Sequence, residues 1–153
     1  MIERKFKRKG QQGFTLVELG VAMAIMAVLV AFLLPGFLKQ RDDAKVSTAL
    51  GQLQKDFPSA ISRQVARTNV CNSTTITAQK LQDRGVPAQT VWNTAWTVDS
   101  VSATQVTISY TLSSSDSNTA ADMVTSLNQG NNIVPNSATA TGNSKVTVSY
   151  PCN

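Results

Sequence analysis

A single carboxylate in a long apolar run is the residue best placed for chemistry in this sequence. Glu18 is the only charged residue between Phe14 and Leu38. A carboxylate in apolar surroundings needs a cationic partner, because an unpaired charge there is costly. Cleavage of the peptide bond between Gly13 and Phe14 would create that partner, since the new α-amine would lie four residues before Glu18. If the chain is cut at this bond, the new amine can serve as the cationic partner of Glu18.

The composition excludes most templates for enzymes and metal sites. The chain has 153 residues and no histidine, so it offers no imidazole base and no histidine metal ligand. Two cysteines alone cannot build a zinc site or an iron–sulfur cluster, and no phosphate-binding glycine loop is present. The pair Asp42-Asp43 is more typical of a solvated helix face than of a metal site. We expect no enzymatic activity, no cofactor and no metal.

The positive charge is concentrated at the N-terminus. The net charge is +5, and five of the 14 lysines and arginines lie within residues 1–13, opposed there only by Glu3. Residues 14–153 carry nine basic and eight acidic side chains. A basic arm before an apolar run is typical of a topogenic signal that stays on the cytoplasmic side. A DNA-binding protein is disfavoured, because non-specific DNA affinity rests on neutralising phosphates.

The apolar run is long enough to cross a bilayer. It extends over 25 residues, 14–38, which as a helix would span roughly 37 Å. The apolar region of a cleaved secretory signal has only about 7–15 residues and ends in a small-residue cleavage site. Hydropathy alone therefore favours an N-terminal transmembrane anchor.

The residues around the expected cleavage point resemble the class III signal of type IV pilins and pseudopilins. The resemblance rests on the segment Lys9-Gly10-Gln11-Gln12-Gly13 followed by Phe14-Thr15-Leu16-Val17-Glu18-Leu19, and it extends to Pro35. It implies that a prepilin peptidase cuts after Gly13 and N-methylates Phe14. It also implies that Glu18 pairs with the N-terminal amine of a neighbouring subunit during assembly. The type IVa and type IVb subclasses both stay open.

This resemblance implies a structural subunit of a filament. The subunit would be held in the bacterial inner membrane as a precursor and then assembled into a surface pilus for adhesion, motility or DNA uptake. The implied partners are further copies of the chain, the prepilin peptidase and the inner-membrane pilus assembly machinery, with DNA only at the level of the filament. Two alternatives remain. One is a minor pilin or type II secretion pseudopilin, and the other is a single-span membrane-anchored periplasmic binding module.

Pro35 and Gly36 are expected to break the apolar helix. Proline removes one backbone hydrogen bond and clashes with the preceding turn, and glycine loosens the backbone further. A kink that the membrane tolerates and a local unwinding inside a filament are both compatible with the sequence.

An amphipathic pattern continues beyond the apolar run. Its apolar residues recur at spacings of three and four: Val46, Leu50, Leu53, Phe57, Ala60 or Ile61, and Val65. We predict one long helix over 14–68, of which 14–38 form the transmembrane or filament core and the remainder packs on a globular domain. A coiled-coil partner is the weaker alternative. Gly51 and Pro58 are the positions where this helix is expected to bend.

The serine- and threonine-rich remainder predicts a small mixed domain. The predicted elements are short helices over 77–84 and 120–127 and strands over 91–98, 105–112 and 146–150. The fold class is therefore α+β, with the long helix packed on a small antiparallel sheet. The predicted organisation is a basic leader over 1–13, the long helix over 14–68 and a globular head over 69–153.

Cys71 and Cys152 are expected to form a disulfide. An even pair of cysteines behind an export signal favours this pairing, whereas two free thiols would suit the cytoplasm. The bond would close a loop of about 80 residues and contribute on the order of 4.5 kcal/mol in the chain-entropy model. The family resemblance implies that such a loop forms the variable surface region.

Overall fold

The computed structural model describes residues 14–114 and 116–152, except for the side chain of Leu38. The leader expected over 1–13, including Gly13, lies outside the described residues. The chain divides into two units, Met1–Lys39 and Gln40–Asn153, which are described separately below. The expected division into leader, long helix and head stays a prediction.

A long helical segment confirms the predicted N-terminal helix. It consists of helix α1 (Leu16–Gly51), a π-helical turn (Gln52–Asp56) and helix α2 (Phe57–Thr68). The segment ends at Asn69, whose left-handed backbone has a φ of 53°. Asparagine tolerates this conformation better than most residues, which makes it a suitable helix terminator.

The π-helical turn lies between Gly51 and Pro58, the two positions where the sequence predicts a bend. Proline has no backbone N–H, so the carbonyl of Gln54 cannot receive its usual α-helical hydrogen bond. The N–H of Phe57 donates to the carbonyl of Gln52 and not to that of Leu53. Two successive carbonyls, those of Leu53 and Gln54, are thus left for other donors.

Two short helices follow in the second unit and confirm the predictions for these segments. Helix α3 spans Ala78–Gln82 and helix α4 spans Thr119–Asn128. The hydroxyl of Thr77 caps α3 by accepting a hydrogen bond from the backbone N–H of Lys80, with an N–O distance of 3.3 Å. Gly85, with a φ of 101°, supplies the positive backbone angle that turns the chain after α3.

Four strands form one antiparallel sheet, which confirms the α+β class. They are β1 (Trp96–Val101), β2 (Gln105–Thr111), β3 (Thr139–Thr141) and β4 (Lys145–Pro151). Their spatial order is β1-β2-β4-β3. The central pair, β2 and β4, consists of the two strands with the clearest alternating pattern of apolar and polar residues.

Two features of the sheet differ from the sequence expectation. The first strand begins at Trp96 and not at residue 91, because the preceding residues form a turn in which the N–H of Thr90 donates to the carbonyl of Thr94 at 2.8 Å. Strand β3 was not predicted. It has three residues, all exposed, and therefore shows no alternation of apolar and polar side chains.

The inner face of the sheet packs on the helix around Phe57. The centroid of the Phe57 ring lies 4.9 Å from that of Trp96, 6.3 Å from that of Tyr110 and 6.1 Å from that of Tyr150. The alternating residues of the two central strands are buried in the same core: Val106, Ile108, Val146 and Val148. The sheet of the same chain therefore covers the apolar stripe of the helix from Leu53 on, as core packing predicts.

Candidate processing and assembly site

The start of α1 fixes the positions of Phe14 and Glu18. Thr15 precedes the helix, and its hydroxyl accepts a hydrogen bond from the backbone N–H of Glu18 at 3.2 Å. This is the geometry of an N-cap. Phe14 lies immediately before the cap and is 84% exposed. Glu18 occupies the first turn, where the helix macrodipole favours a negative charge.

Thr15 is a positioning residue that the sequence analysis did not identify. The spacing Thr15-x-x-Glu18 matches the capping-box pattern, and this was the available signal. The helix begins after this cap, at Leu16, so Phe14 lies outside the helical hydrogen-bond ladder. The pairing of Glu18 with the amine of Phe14 concerns two subunits and stays a prediction.

The first unit presents a continuous apolar surface. Every side chain from Phe14 to Phe37 is exposed, and Glu18 carries the only charge among them. By length and composition, one helical segment among the described residues, Leu16–Thr68, is able to cross a membrane. An apolar surface of this extent needs lipid or another apolar surface to cover it.

Helix α1 continues through Pro35 and Gly36. The proline costs the helix one backbone hydrogen bond, because the carbonyl of Ala31 has no N–H partner at position 35. The structure thus shows a weakened but continuous helix at this point. Unwinding of Pro35 and Gly36 inside a filament stays a prediction.

Within the second unit, side chains from the head bind the two carbonyls released at the π-helical turn. The hydroxyl of Tyr150 donates to the carbonyl of Leu53 at 2.8 Å. The side-chain amide of Asn132 donates to the carbonyl of Gln54 at 3.0 Å. Both backbone acceptors therefore have a partner, which removes the penalty of leaving them unsatisfied.

A third contact joins the sheet to the π-helical turn. The hydroxyl of Tyr110 donates to the side-chain oxygen of Gln52 at 2.6 Å and accepts a hydrogen bond from the N–H of Val91 at 3.1 Å. The sequence analysis did not identify these contacts. For the carbonyl of Gln54, Pro58 was the available signal, because a proline inside a helix leaves a carbonyl without its usual N–H donor.

The expected disulfide between Cys71 and Cys152 is confirmed. Their Cα atoms are 6.2 Å apart, and 81 positions separate them in the sequence. Cys71 follows the end of α2, and Cys152 follows β4, where its N–H donates to the carbonyl of Thr104 at 2.9 Å. The bond ties the last strand to the chain that leaves the helix.

Residues 14–114 and 116–152 contain no group of three or more histidine, cysteine, aspartate or glutamate side chains that could hold a metal ion. Of the acidic pair on α1, Asp43 is exposed and Asp42 is half-buried.

Comparison with known proteins identifies the N-terminal segment. The family model described as the prokaryotic N-terminal methylation motif matches residues 8–34. The chain carries the N-terminal methylation motif of the type IV pilin and pseudopilin family. The matched segment contains Gly13, Phe14 and Glu18 and stops one residue before Pro35. A class III signal and an apolar N-terminal helix together imply a precursor that is inserted in a membrane.

A curated relative extends this likeness beyond the motif. The chain is 38% identical over 48 residues to the type II secretion system core protein G of Pseudomonas aeruginosa. The match covers 31% of this chain and 34% of the relative, so the chain spans about a third of the length of that protein. No solved structure matches the chain. The long N-terminal helix followed by a four-stranded antiparallel sheet is a pilin-like α+β fold.

Proposed function

We propose that the chain is a structural subunit of a type IV pilus that polymerises through its N-terminal helix into a surface filament. The observation that carries this proposal is the exposed apolar helix that makes up most of the matched methylation motif. Outside the membrane, packing identical helices side by side would keep this surface from water, whose contact costs about 25 cal/mol for each Å² of apolar area. The filament, and not the single chain, would serve adhesion, motility or DNA uptake.

Processing precedes assembly in this proposal. The prepilin peptidase cuts after Gly13 and N-methylates Phe14, which lies before the helix cap and is exposed. Until the cut, the basic leader holds the precursor in the inner membrane with its N-terminus in the cytoplasm. Removal of the leader releases the helix to the inner-membrane assembly machinery.

Glu18 sets the register between subunits. In the filament its carboxylate pairs with the methylated amine of Phe14 on a neighbouring copy of the chain. Leaving a buried charge without its partner costs roughly 3–5 kcal/mol, so a shifted register is strongly disfavoured. This is a role in positioning, and it needs no catalytic group.

The relative from the type II secretion system favours a second candidate, a pseudopilin or a minor pilin. Both would use Gly13, Phe14 and Glu18 in the same way. The disulfide between Cys71 and Cys152 favours the pilin, because pseudopilins often lack one in this region. A plain membrane anchor is less favoured because it would need none of the residues in the methylation motif.

The substitution Glu18→Ala tests the proposal in the source cells. We expect the variant to accumulate in the membrane while surface filaments are lost, as quantified by shearing and electron microscopy. Asp43→Ala is the matched control, since it removes an exposed carboxylate from the same helix outside the apolar run. Filaments should be retained in that control. Wild-type cells without filaments, together with normal insertion of both variants, would support the anchor instead.

A further inference from the structure

A basic cleft lies between the end of α2 and helix α3 in the second unit. Its volume is about 540 Å³. The residues that line it are Gln64, Arg67, Thr68, Lys80, Asp83 and Arg84. Three are cationic and one is anionic, so the cleft concentrates positive charge in a part of the chain that is otherwise close to neutral.

A buried amide holds one of the cations in place. Gln64 is only 4% exposed, and its side-chain oxygen accepts a hydrogen bond from Nε of Arg84 at 3.0 Å. The amide nitrogen of Gln64 donates in turn to the carbonyl of Thr75 at 3.0 Å. The orientation of the Arg84 guanidinium is thus fixed through Nε, and the two terminal amino groups are the part available to a ligand.

A second cation of the cleft is positioned by a backbone carbonyl. The ammonium group of Lys80 donates to the carbonyl of Thr74 at 2.7 Å, and this side chain is half-buried. Arg67, at the end of α2, is exposed. Asp83 accepts a hydrogen bond from Gln79 at 3.3 Å.

No ion pair within the described residues neutralises the three cations of this cleft. Neutral groups hold Lys80 and Arg84, so the positive charge of both remains available. A preorganised guanidinium beside an ammonium group matches the oxygens of a phosphate, which accept paired hydrogen bonds from arginine and a point charge from lysine.

We propose that this cleft binds the phosphate groups of a linear polyanion, such as the backbone of a nucleic acid. No aromatic side chain among the described residues lines it, so these residues offer no platform on which a base could stack. Recognition would therefore depend on charge and not on sequence. Repetition of the cleft along a filament would multiply the number of contacts.

The headgroups of the membrane that holds the precursor are a poor source of this phosphate. Arg67 lies on the same helical segment as Gln40, the first residue of the second unit. At 1.5 Å for each residue, this separation along the helix is about 40 Å. A soluble phosphate polymer can reach the cleft without this constraint.

The test measures binding of a short fluorescein-labelled duplex DNA of random sequence to the full chain in detergent micelles by fluorescence anisotropy. The double variant Lys80→Gln/Arg84→Gln should weaken binding by about tenfold or more, because hydrogen bonds between charged groups are lost. Its salt slope should fall by about 0.9 for each phosphate contact removed. The cations of the leader are common to every variant, so the comparison isolates the cleft.

Two further variants make the result decisive. Asp83→Asn leaves the buried Gln64 network intact and should strengthen binding by removing the one carboxylate among the described residues that line the cleft. Arg63→Gln is the matched control, because it removes a cation from α2 outside the cleft and should leave binding nearly unchanged. An equal loss in the control and the double variant, or no gain from Asp83→Asn, would overturn the proposal.

Competition distinguishes a polymer of phosphates from a polymer of carboxylates. Inorganic polyphosphate should displace the DNA, whereas polyglutamate at the same charge concentration should not, if the cleft selects phosphate. Equal displacement by polyglutamate would overturn the phosphate assignment and point to an acidic polymer in general. None of these outcomes depends on filament formation, so a failure here is separate from a failure of the proposed function.

Discussion

The hydroxyl of Tyr150 donates a hydrogen bond of 2.8 Å to the backbone carbonyl of Leu53, which lies 97 positions earlier in the chain. The acceptor is free because the π-helical turn moves the N–H of Phe57 to the carbonyl of Gln52. The last strand therefore supplies the hydrogen-bond donor for a carbonyl that the π-helical turn leaves without its usual partner. This contact joins the head to the helical segment that continues into the filament core of the proposed subunit.

Removing this hydroxyl should destabilise the second unit. In Tyr150→Phe the buried carbonyl of Leu53 loses its donor, which should lower the free energy of unfolding by about 1–3 kcal/mol. Urea unfolding of the full chain in detergent micelles, followed by tryptophan fluorescence, measures this change. Tyr110→Phe provides the comparison and should cost less, because the two groups that it releases, the side chain of Gln52 and the N–H of Val91, belong to half-buried residues, whereas Leu53 is fully buried. A neutral Tyr150→Phe would contradict the account.

Stability should decline at alkaline pH because of the same tyrosines. Burial raises the pKa of Tyr110 to about 12, partly offset by the hydrogen bond from Val91, and burial raises the pKa of Tyr150 well above its usual value. The unfolded chain releases these protons near pH 10, before the folded chain does. Stability should therefore be fully present below about pH 10 and fall as the pH rises toward 12.

The variant Tyr150→Phe should flatten this alkaline decline, because one of the two groups no longer ionises. Urea unfolding at a series of pH values compares the slopes of wild type and variant. Identical slopes would show that ionisation of Tyr150 does not contribute to the alkaline decline in stability.

Pro58 and Asn132 should be energetically coupled. Asn132→Ala removes the donor to the carbonyl of Gln54 and should cost about 0.5–1.5 kcal/mol. Pro58→Ala restores a backbone N–H that can reach the same carbonyl, so the loss from Asn132→Ala should be smaller in that background. A double-mutant cycle of urea unfolding energies measures the difference. Strict additivity would contradict the assignment of Asn132 as the substitute for the missing N–H.

The disulfide should contribute strongly to the stability of the head. The double variant Cys71→Ser/Cys152→Ser should lower the free energy of unfolding by roughly 2–5 kcal/mol, because the unfolded chain gains entropy when the 81-residue connection opens. Reductant should produce a similar loss in the wild type and no further loss in the variant. If reductant destabilised both proteins equally, the effect would not come from this bond.

The long helix and the central strands could be predicted because their signals are local. The spacing of apolar residues defines the helix over Leu16–Thr68, and strict alternation defines β2 and β4. The sequence predicts a strand for the turn before Trp96, because its apolar residues suit a strand equally well. Strand β3 gives no periodic signal, since its position depends only on pairing with β4.

The candidate sites also divide into those that have a local signal in the sequence and those that do not. Gly13, Phe14 and Glu18 are recognisable from spacing within a few residues, and Thr15 could have been found from the capping-box pattern. The basic cleft could not, because its walls come from α2 and α3 and meet only when the chain turns between them. The π-helical turn also escaped prediction, since donors far away in the sequence stabilise it.

The most direct test of the central proposal is the intact mass, with N-terminal fragmentation, of protein sheared from the surface of the source cells. We predict a chain that starts at Phe14, carries one additional methyl group on its N-terminus and lacks two hydrogens because of the bond between Cys71 and Cys152. That result would establish processing and surface export together. A chain that still starts at Met1 and occurs only in membranes would contradict the filament-subunit proposal.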